Sequence, residues 1–375
     1  GHRRNMATRL RVGIVGCGLI AQVMHLHYLR ELPELYEIVA LCDVSADLRE
    51  ACARDYAVGT TCGDWRELLD QPLDAVFILT SGSHAPIAIA AAQAGRHILV
   101  EKPMCFSIAE GQAMMEAAEH AKVSLMVAYN KRYDPAYRRF AADAQRLQDI
   151  RLARITTLEA PMLPYVAHYR LHPPGSLPDA TRAAFAADNA ARIAVALGAV
   201  DPLSARAYHF VLLDSLVHEF NAVRGVLGEP DRLEFADITE HGVTAVLRFG
   251  ATQCVLNWVD LPGLARYAME FAFYAPDARL TLGFPSPFLR SAPTMLMREG
   301  GEAGTARSWQ TEEITSYEES FRAELVHFHT CVTAGTPPLT SAADALHDIA
   351  LCQSVIEAHR SRTPCDRPSA WPAQG

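Results

Sequence analysis

The chain has 375 residues, 50% of them hydrophobic and 21% charged, with 22 glycines and 22 prolines; that suits two domains with real cores and excludes a disordered, collagenous or disulfide-stapled chain. Its 34 basic against 43 acidic residues leave a net charge of −9, and without basic runs this excludes a nucleic-acid or acidic-membrane partner in favour of a small molecule. Nine scattered cysteines with no Cys-x-x-Cys pair read as reduced thiols of a cytoplasmic protein. The five residues before Met6 read as an appended leader. No apolar run reaches the roughly 20 residues of a bilayer span, nor does a signal-peptide core follow Met6.

In chain order, an apolar strand over 10–15 closes on Gly16-Cys17-Gly18, and helical periodicity follows over 20–32 until Pro33. A strand over 36–41 precedes Asp43 and a helix over 46–56. The strand over 74–80 breaks into Ser81-Gly82-Ser83 before an alanine-rich helix with Pro86 in its first turn and Gly95 just past its end. A strand over 97–100 ends in Glu101-Lys102-Pro103, a helix covers 108–121, and 124–128 is a further strand. Such alternation predicts a doubly wound parallel α/β sheet over 6–130.

Beyond residue 130 the pattern changes. A helix over 135–147 and a strand over 153–159 lead into 161–202, a polar, proline-broken stretch with no assignable element. A helix over 210–227, stopped by Gly228 and Pro230, precedes strands over 232–237, 243–249, 254–259, 268–274 and 278–282. This predicts an α+β second domain over 131–316 with a mainly antiparallel sheet. Helices over 317–334 and 341–359 read as a tail, to about residue 365, that returns to complete the first domain.

Three constellations carry chemistry. Gly16-Cys17-Gly18-Leu19-Ile20-Ala21 opens a helix straight after the first strand, where bare backbone and a helix N-terminus can hold a pyrophosphate; Asp43, ending the second strand, can take ribose hydroxyls. In that context a dinucleotide-binding turn outweighs a merely structural one. Asp43 favours NAD over NADP, because neither Val44 nor Ser45 supplies a cation for a 2′-phosphate, and NADP stays open. Glu101-Lys102-Pro103 lies at the carboxyl edge of the same sheet, where a lysine could act in proton transfer; its competing reading is an exposed turn with a solvated ion pair. Asp214 and His218, at i, i+4, share a helical face on which a carboxylate can orient an imidazole, or simply form the wet side of an amphipathic helix. The pairs His25-x-His27 and His327-x-His329 fall on different helical faces, so no metal site is expected.

Taken together, these motifs resemble the glucose-fructose oxidoreductase, inositol dehydrogenase and MocA (Gfo/Idh/MocA) family of nicotinamide-dependent oxidoreductases. The matching residues are Gly16 to Ala21, Asp43, the run from Phe77 to Pro103, Asn130-Lys131-Arg132-Tyr133, Asp214-x-x-x-His218 with Leu227-Gly228-Glu229-Pro230, and the tail from Glu324 to Pro364. The resemblance implies a Rossmann domain joined to an open antiparallel sheet that serves homodimer or homotetramer contacts. It implies a catalytic group of Lys102, Asp214 and His218, with the base open between His218 and Lys102. It also implies a cofactor lining of Gly16, Gly18, Leu19, Ile20, Asp43, Thr80, Ser81, His84, Glu101, Lys102 and Asn130.

On the substrate side, Arg132, Tyr165, His168 and His218 are candidates, and the 161–206 segment, with His172, Asp188 and Asn189, is expected to shape the pocket. The implied reaction is hydride transfer between a secondary alcohol of a sugar, sugar derivative or cyclitol and NAD. An NAD-dependent glycoside hydrolase working by transient oxidation and elimination, and a non-catalytic dinucleotide-binding regulator, remain alternatives. The chain departs from the family pattern in lacking glycine-rich sequence before Asp214 and in carrying Asn221 where an aspartate often follows.

Overall fold

The computed structural model describes residues 8–367; the leader expected at 1–5 lies outside them. β1 (Leu10–Val15) leads into α1, π-helical over Ala21–His25 and α-helical over Leu26–Arg30. Then come β2 (Tyr36–Cys42), α2 (Ala46–Tyr56), β3 (Thr60–Cys62), α3 (Trp65–Leu69), β4 (Ala75–Ile78), α4 (Ala85–Gln93), β5 (His97–Val100), α5 (Ile108–Ala121) and β6 (Leu125–Val127). The six strands run parallel in the order β3-β2-β1-β4-β5-β6. Because the winding reverses between β1 and β4, their carboxyl ends open a crevice there. Burial on both faces explains the unbroken apolar run of β4 and that of β1 after the exposed Arg11.

A single 3₁₀ turn, Asn130–Tyr133, joins this sheet to α6 (Pro135–Ala144), where Asp134 caps the helix by accepting from the Ala136 and Tyr137 amides at 2.8 and 3.2 Å. β7 (Leu152–Glu159), α7 (Leu163–Val166) and α8 (Asp179–Leu197) follow. Next is α9 (Pro202–Ala207), which runs on as a π-helix over Tyr208–Leu216 and into α10 (Val217–Leu227). Seven further strands, β8 (Arg232–Ile238), β9 (Gly242–Phe249), β10 (Thr252–Asp260), β11 (Ala268–Ala275), β12 (Ala278–Phe284), β13 (Met295–Gly301) and β14 (Ser308–Ile314), join β7 in one sheet of order β14-β13-β12-β11-β7-β10-β9-β8. Every pairing is antiparallel except β7 with β10. On β9 and β10 buried and half-buried residues alternate, so one face packs on helices and the other is open.

The last two helices, α11 (Ser320–Ala334) and α12 (Ala342–Ser361), pack differently. α11 lies on the parallel sheet, with Phe321, Leu325 and Phe328 in one cluster with Ile14, Phe77 and Met126. α12 is wedged between the sheets, where Ile349, Cys352 and Val355 share a core with Val100 of β5 and Leu247 of β9.

Several elements differ from expectation. The 161–202 stretch holds α7 and α8; α8 buries no residue fully, and only Ile193, Ala196 and Leu197 at its far end rest on the core, so no apolar stripe runs the length of its alanine-rich sequence to betray a helix. The helix expected from 210 begins at Pro202, capped by Asp201. β13 and β14 were not foreseen, and β14 is exposed along nearly its whole length, which removes the alternation a strand is read from. Among the described residues no single helix is long and apolar enough to cross a membrane; α8 and the 202–227 helix meet both conditions only when taken together, across a 106° bend.

Candidate active site

The site is built on the crevice between β1 and β4. Gly16 has φ 101°, and a Cβ there would stand 2.8 Å from the Leu79 carbonyl carbon, so only glycine lets this loop lie against the end of β4. A Cβ on Gly18 would meet nothing within 4 Å, leaving bare backbone open at the start of α1. This cradle fits a pyrophosphate. Asp43 accepts the Cys17 amide at 2.9 Å through Oδ2 and the Ser45 amide at 2.9 Å through Oδ1; each oxygen keeps a lone pair for a ribose hydroxyl. Arg49 donates to the Asp43 carbonyl at 3.0 Å. The first turns of α2 thus bring a guanidinium back to the lip at which Val44 and Ser45 offer no cation for a 2′-phosphate.

Beyond the cradle lies a cavity of about 410 Å³. Leu19, Ile20, Thr80, Ser81, His84, Glu101 and Asn130 line its sheet side, and Lys102, Asp214 and His218 converge on it from the two halves of the fold. Glu101 Oε1 meets His25 Nε2 at 2.6 Å, and Oε2 accepts the Lys102 amide at 3.2 Å. Burial alone would raise the Glu101 carboxyl, but the bond to His25 and the neighbouring positive charges hold it below its ordinary value. The His84 ring stands between the Thr80 and Pro103 carbonyls at 2.6 and 2.7 Å, tying the loop after β4 to the lysine turn. Asn130 Nδ2 donates to Ser320 Oγ of α11 at 2.9 Å. Lys102 is therefore presented from a braced turn.

Lys102 Nζ donates to the Asp214 carbonyl and lies 3.8 Å from its carboxylate. That corrects the expected pairing: the Asp214 carboxylate, 71% exposed, faces the lysine, and no bond joins it to His218. Asp214 lies in the π-helical stretch over 208–216 and His218 in the α-helix that continues it. His218 sits deeper, its Nδ1 buried without a partner and its ring edge-on to Tyr129 at 6.0 Å. Burial, reinforced by the charges of Lys131 and Lys102, holds its pKa well below 6.5, so the imidazole is neutral near pH 7.

Two neighbours of His218 went unforeseen. Glu219 is fully buried with both carboxylate oxygens unpaired, and burial pushes it up to about 8 against the charge of Lys131. Lys131 is itself 5% exposed and lowered by burial, with Glu219 opposing. A buried ammonium and carboxyl beside a helix that looks amphipathic leave no trace in periodicity. The aromatic lining from Phe106, Phe210, Phe288 and Phe321 was also missed, since it is gathered from two loops, the π-helix over 208–216 and the returning tail.

Three expected substrate residues are not in the cavity. Arg132 turns away to Asn221 Oδ1 at 3.4 Å and Asp344 at 3.6 Å. Tyr165 accepts the Tyr267 amide at 2.6 Å and donates to the Ala265 carbonyl at 3.3 Å. His168 is exposed, its ring 4.3 Å from that of Tyr169. Among the described residues no group of three His, Cys, Asp or Glu side chains could hold a metal ion.

Residues 10–129 match the family model described as the GFO_IDH_MocA oxidoreductase family, NAD-binding Rossmann fold. Over those residues the chain is similar to the Gfo/Idh/MocA oxidoreductases. Among its relatives, an uncharacterized oxidoreductase, YrbE of Bacillus subtilis, is 32% identical over 136 residues, 36% of this chain and 39% of that protein. The myo-inositol 2-dehydrogenase of Thermotoga maritima is 24% identical over 355 residues, 89% and 92% of the two chains. The stronger identity thus spans about two fifths of a relative, and the Gfo/Idh/MocA likeness of the rest is weaker. A 3-ketoreductase from Actinomadura kijaniata, solved with NADP and TDP-benzene, superposes with a TM-score of 0.71 at 19% identity, covering 94% of this chain and 98% of that one, and shares the two-sheet fold.

Proposed function

We propose that the protein is an NAD(H)-dependent dehydrogenase that oxidises a secondary alcohol of a sugar, sugar derivative or cyclitol, or reduces the matching ketone. The observation that carries this is the convergence of Lys102, Asp214 and His218 on one cavity that adjoins the glycine cradle. When bound, the nicotinamide takes up the hydride from the carbinol carbon. His218, neutral through burial, receives the hydroxyl proton as that C–H bond breaks and the C=O bond forms. Lys102, steadied by Asp214, holds the substrate oxygen and stabilises the charge developing on it. Curated Gfo/Idh/MocA relatives named for inositol and D-apiose oxidation support a polyol substrate. NAD is the favoured cofactor; Arg49 keeps NADP within reach.

The test is nicotinamide absorbance with NAD and NADP against sugars, inositols and sugar acids, repeated with Lys102→Ala. Turnover should fall by about 10²–10⁴-fold in the variant while NADH affinity stays within about threefold; retained turnover would sink the assignment. Hydrolysis of glycosides with no net NADH would shift the reading to the elimination mechanism, and cofactor binding without turnover of any substrate to a regulator. We further place the protein in the cytoplasm, supported by eight buried free thiols, as a homodimer or homotetramer formed through the open face of the antiparallel sheet.

A further inference from the structure

The 161–206 segment does not line the cavity behind Lys102 and His218; it crosses the other half of the crevice. His172 exchanges two bonds with Gln22 of α1, its amide donating to Oε1 at 2.8 Å and its carbonyl accepting from Nε2 at 3.1 Å, and its ring meets Asp55 of α2 at 2.5 Å. The Gly175 amide donates to Ser45 Oγ at 3.2 Å, and a Cβ at Gly175 would lie 2.6 Å from that oxygen. Ser45 stands two residues past Asp43, on the lip of the groove that takes the adenosine end of a dinucleotide. α8 then carries Asn189 to the opposite lip, where its Oδ1 lies 3.2 Å from the position of a Cβ on Gly82 in the turn after β4. Arg192 completes the crossing with a 2.9 Å bond to Glu110 of α5.

The part of the segment that spans the groove is thinly held, between flanks packed on the cores through Tyr169 and Leu171 on one side and Ile193 and Leu197 on the other. α8 buries none of its side chains fully, Pro173, Pro174 and Pro178 stiffen its approach, and Gly198, with φ 69°, ends it. Its hold on the lips is polar, through the His172, Gly175 and Arg192 bonds, and the lips are the cap of α2, the turn after β4 and the first turn of α5.

We infer that residues 172–192 are a cover that completes the adenosine subsite, so that the dinucleotide leaves only when the cover lifts. This rests on the dehydrogenase reading for the identity of the ligand, and it adds His172, Gly175 and Asn189 to the residues that retain it. Of the polar groups the sequence offered for the substrate pocket, His172 and Asn189 thereby serve the cofactor instead.

Stopped-flow fluorescence of NADH release, with NADPH in parallel, tests the inference on the full chain. His172→Ala combined with Asn189→Ala should release NADH at least tenfold faster than wild type, with a smaller change in association rate, and bound NADH should slow amide hydrogen exchange across 172–192 in the wild-type protein. Release from a folded double variant within twofold of wild type overturns the cover while leaving the dehydrogenase reading intact. Should the double variant fail to fold, the exchange experiment decides, and unchanged exchange across 172–192 with NADH bound overturns the cover. If wild type binds neither NADH nor NADPH, the cover and the dehydrogenase reading fall together.

Discussion

His218 and Glu219 are adjacent in sequence and both buried, yet burial acts on them in opposite directions because it disfavours whichever form is charged. The imidazole is driven neutral well above its lowered pKa, the form a general base needs, and the carboxyl is driven towards its protonated form. The sign for activity follows: a base that titrates well below 6.5 stays deprotonated on mild acidification, so kcat/KM for alcohol oxidation should hold level from about pH 8 to about pH 6. A loss of activity centred at or above pH 6.5 would count against His218. At Gly16 the constraint is steric instead: Gly16→Ala forces a side chain into φ 101° and against Leu79. It should cost about 1–3 kcal/mol of stability and abolish NADH binding, read by melting temperature and by fluorescence titration.

At the scale of elements, the π-helical segments matter most. One opens α1 at the pyrophosphate cradle and the other carries Asp214 towards Lys102; each re-aims side chains that a regular α-helix would place elsewhere. α10 and α12 are joined by Arg224, whose side chain is 2% exposed and bonds Asp348 at 2.9 Å, Asp344 at 3.0 Å and Glu229 at 2.6 Å. Removing it leaves Asp348 in the core without its cation, so Arg224→Ala should cost about 3–5 kcal/mol. Burial already lifts Asp348 to about 7 against the pull of Arg224, and without the guanidinium it rises further. The unfolded chain loses that proton near pH 4, whereas folded wild type keeps it to about pH 7 and the folded variant beyond that, so the deficit against wild type should be level from pH 5 to about pH 7 and wider at pH 8. Denaturant melts at pH 5 and pH 8 read this directly; an equal deficit at both would refute it.

For the whole molecule, the open sheet face is an apolar surface that no helix covers. Val246, Val255, Val259 and Leu158 stand side by side on β9, β10 and β7 and are only half buried, beside the Arg154–Glu270 pair. Light scattering should find a dimer or tetramer, and Val255→Glu should shift it towards monomer with the fold intact by circular dichroism. A monomeric wild type would remove this role from the face.

Much of this architecture is local in origin. The parallel strands, their turns and the positions of Gly16, Asp43 and Lys102 were legible in the sequence because apolar runs, helix punctuation and a glycine-rich turn are short-range signals, and family likeness added Asp214 and His218. Short β3, exposed β14 and the stripe-free α8 were not, since periodicity records burial and these elements bury little. Only the tertiary structure decided that Asp214 serves Lys102 rather than His218, that Arg132 turns to Asp344, that Lys131 and Glu219 lie buried beside the imidazole, and that residues 172–192 cross the dinucleotide groove. Each of those outcomes depends on which distant segments meet, and it is desolvation and charge at such meetings, not residue type or spacing, that set what a side chain does.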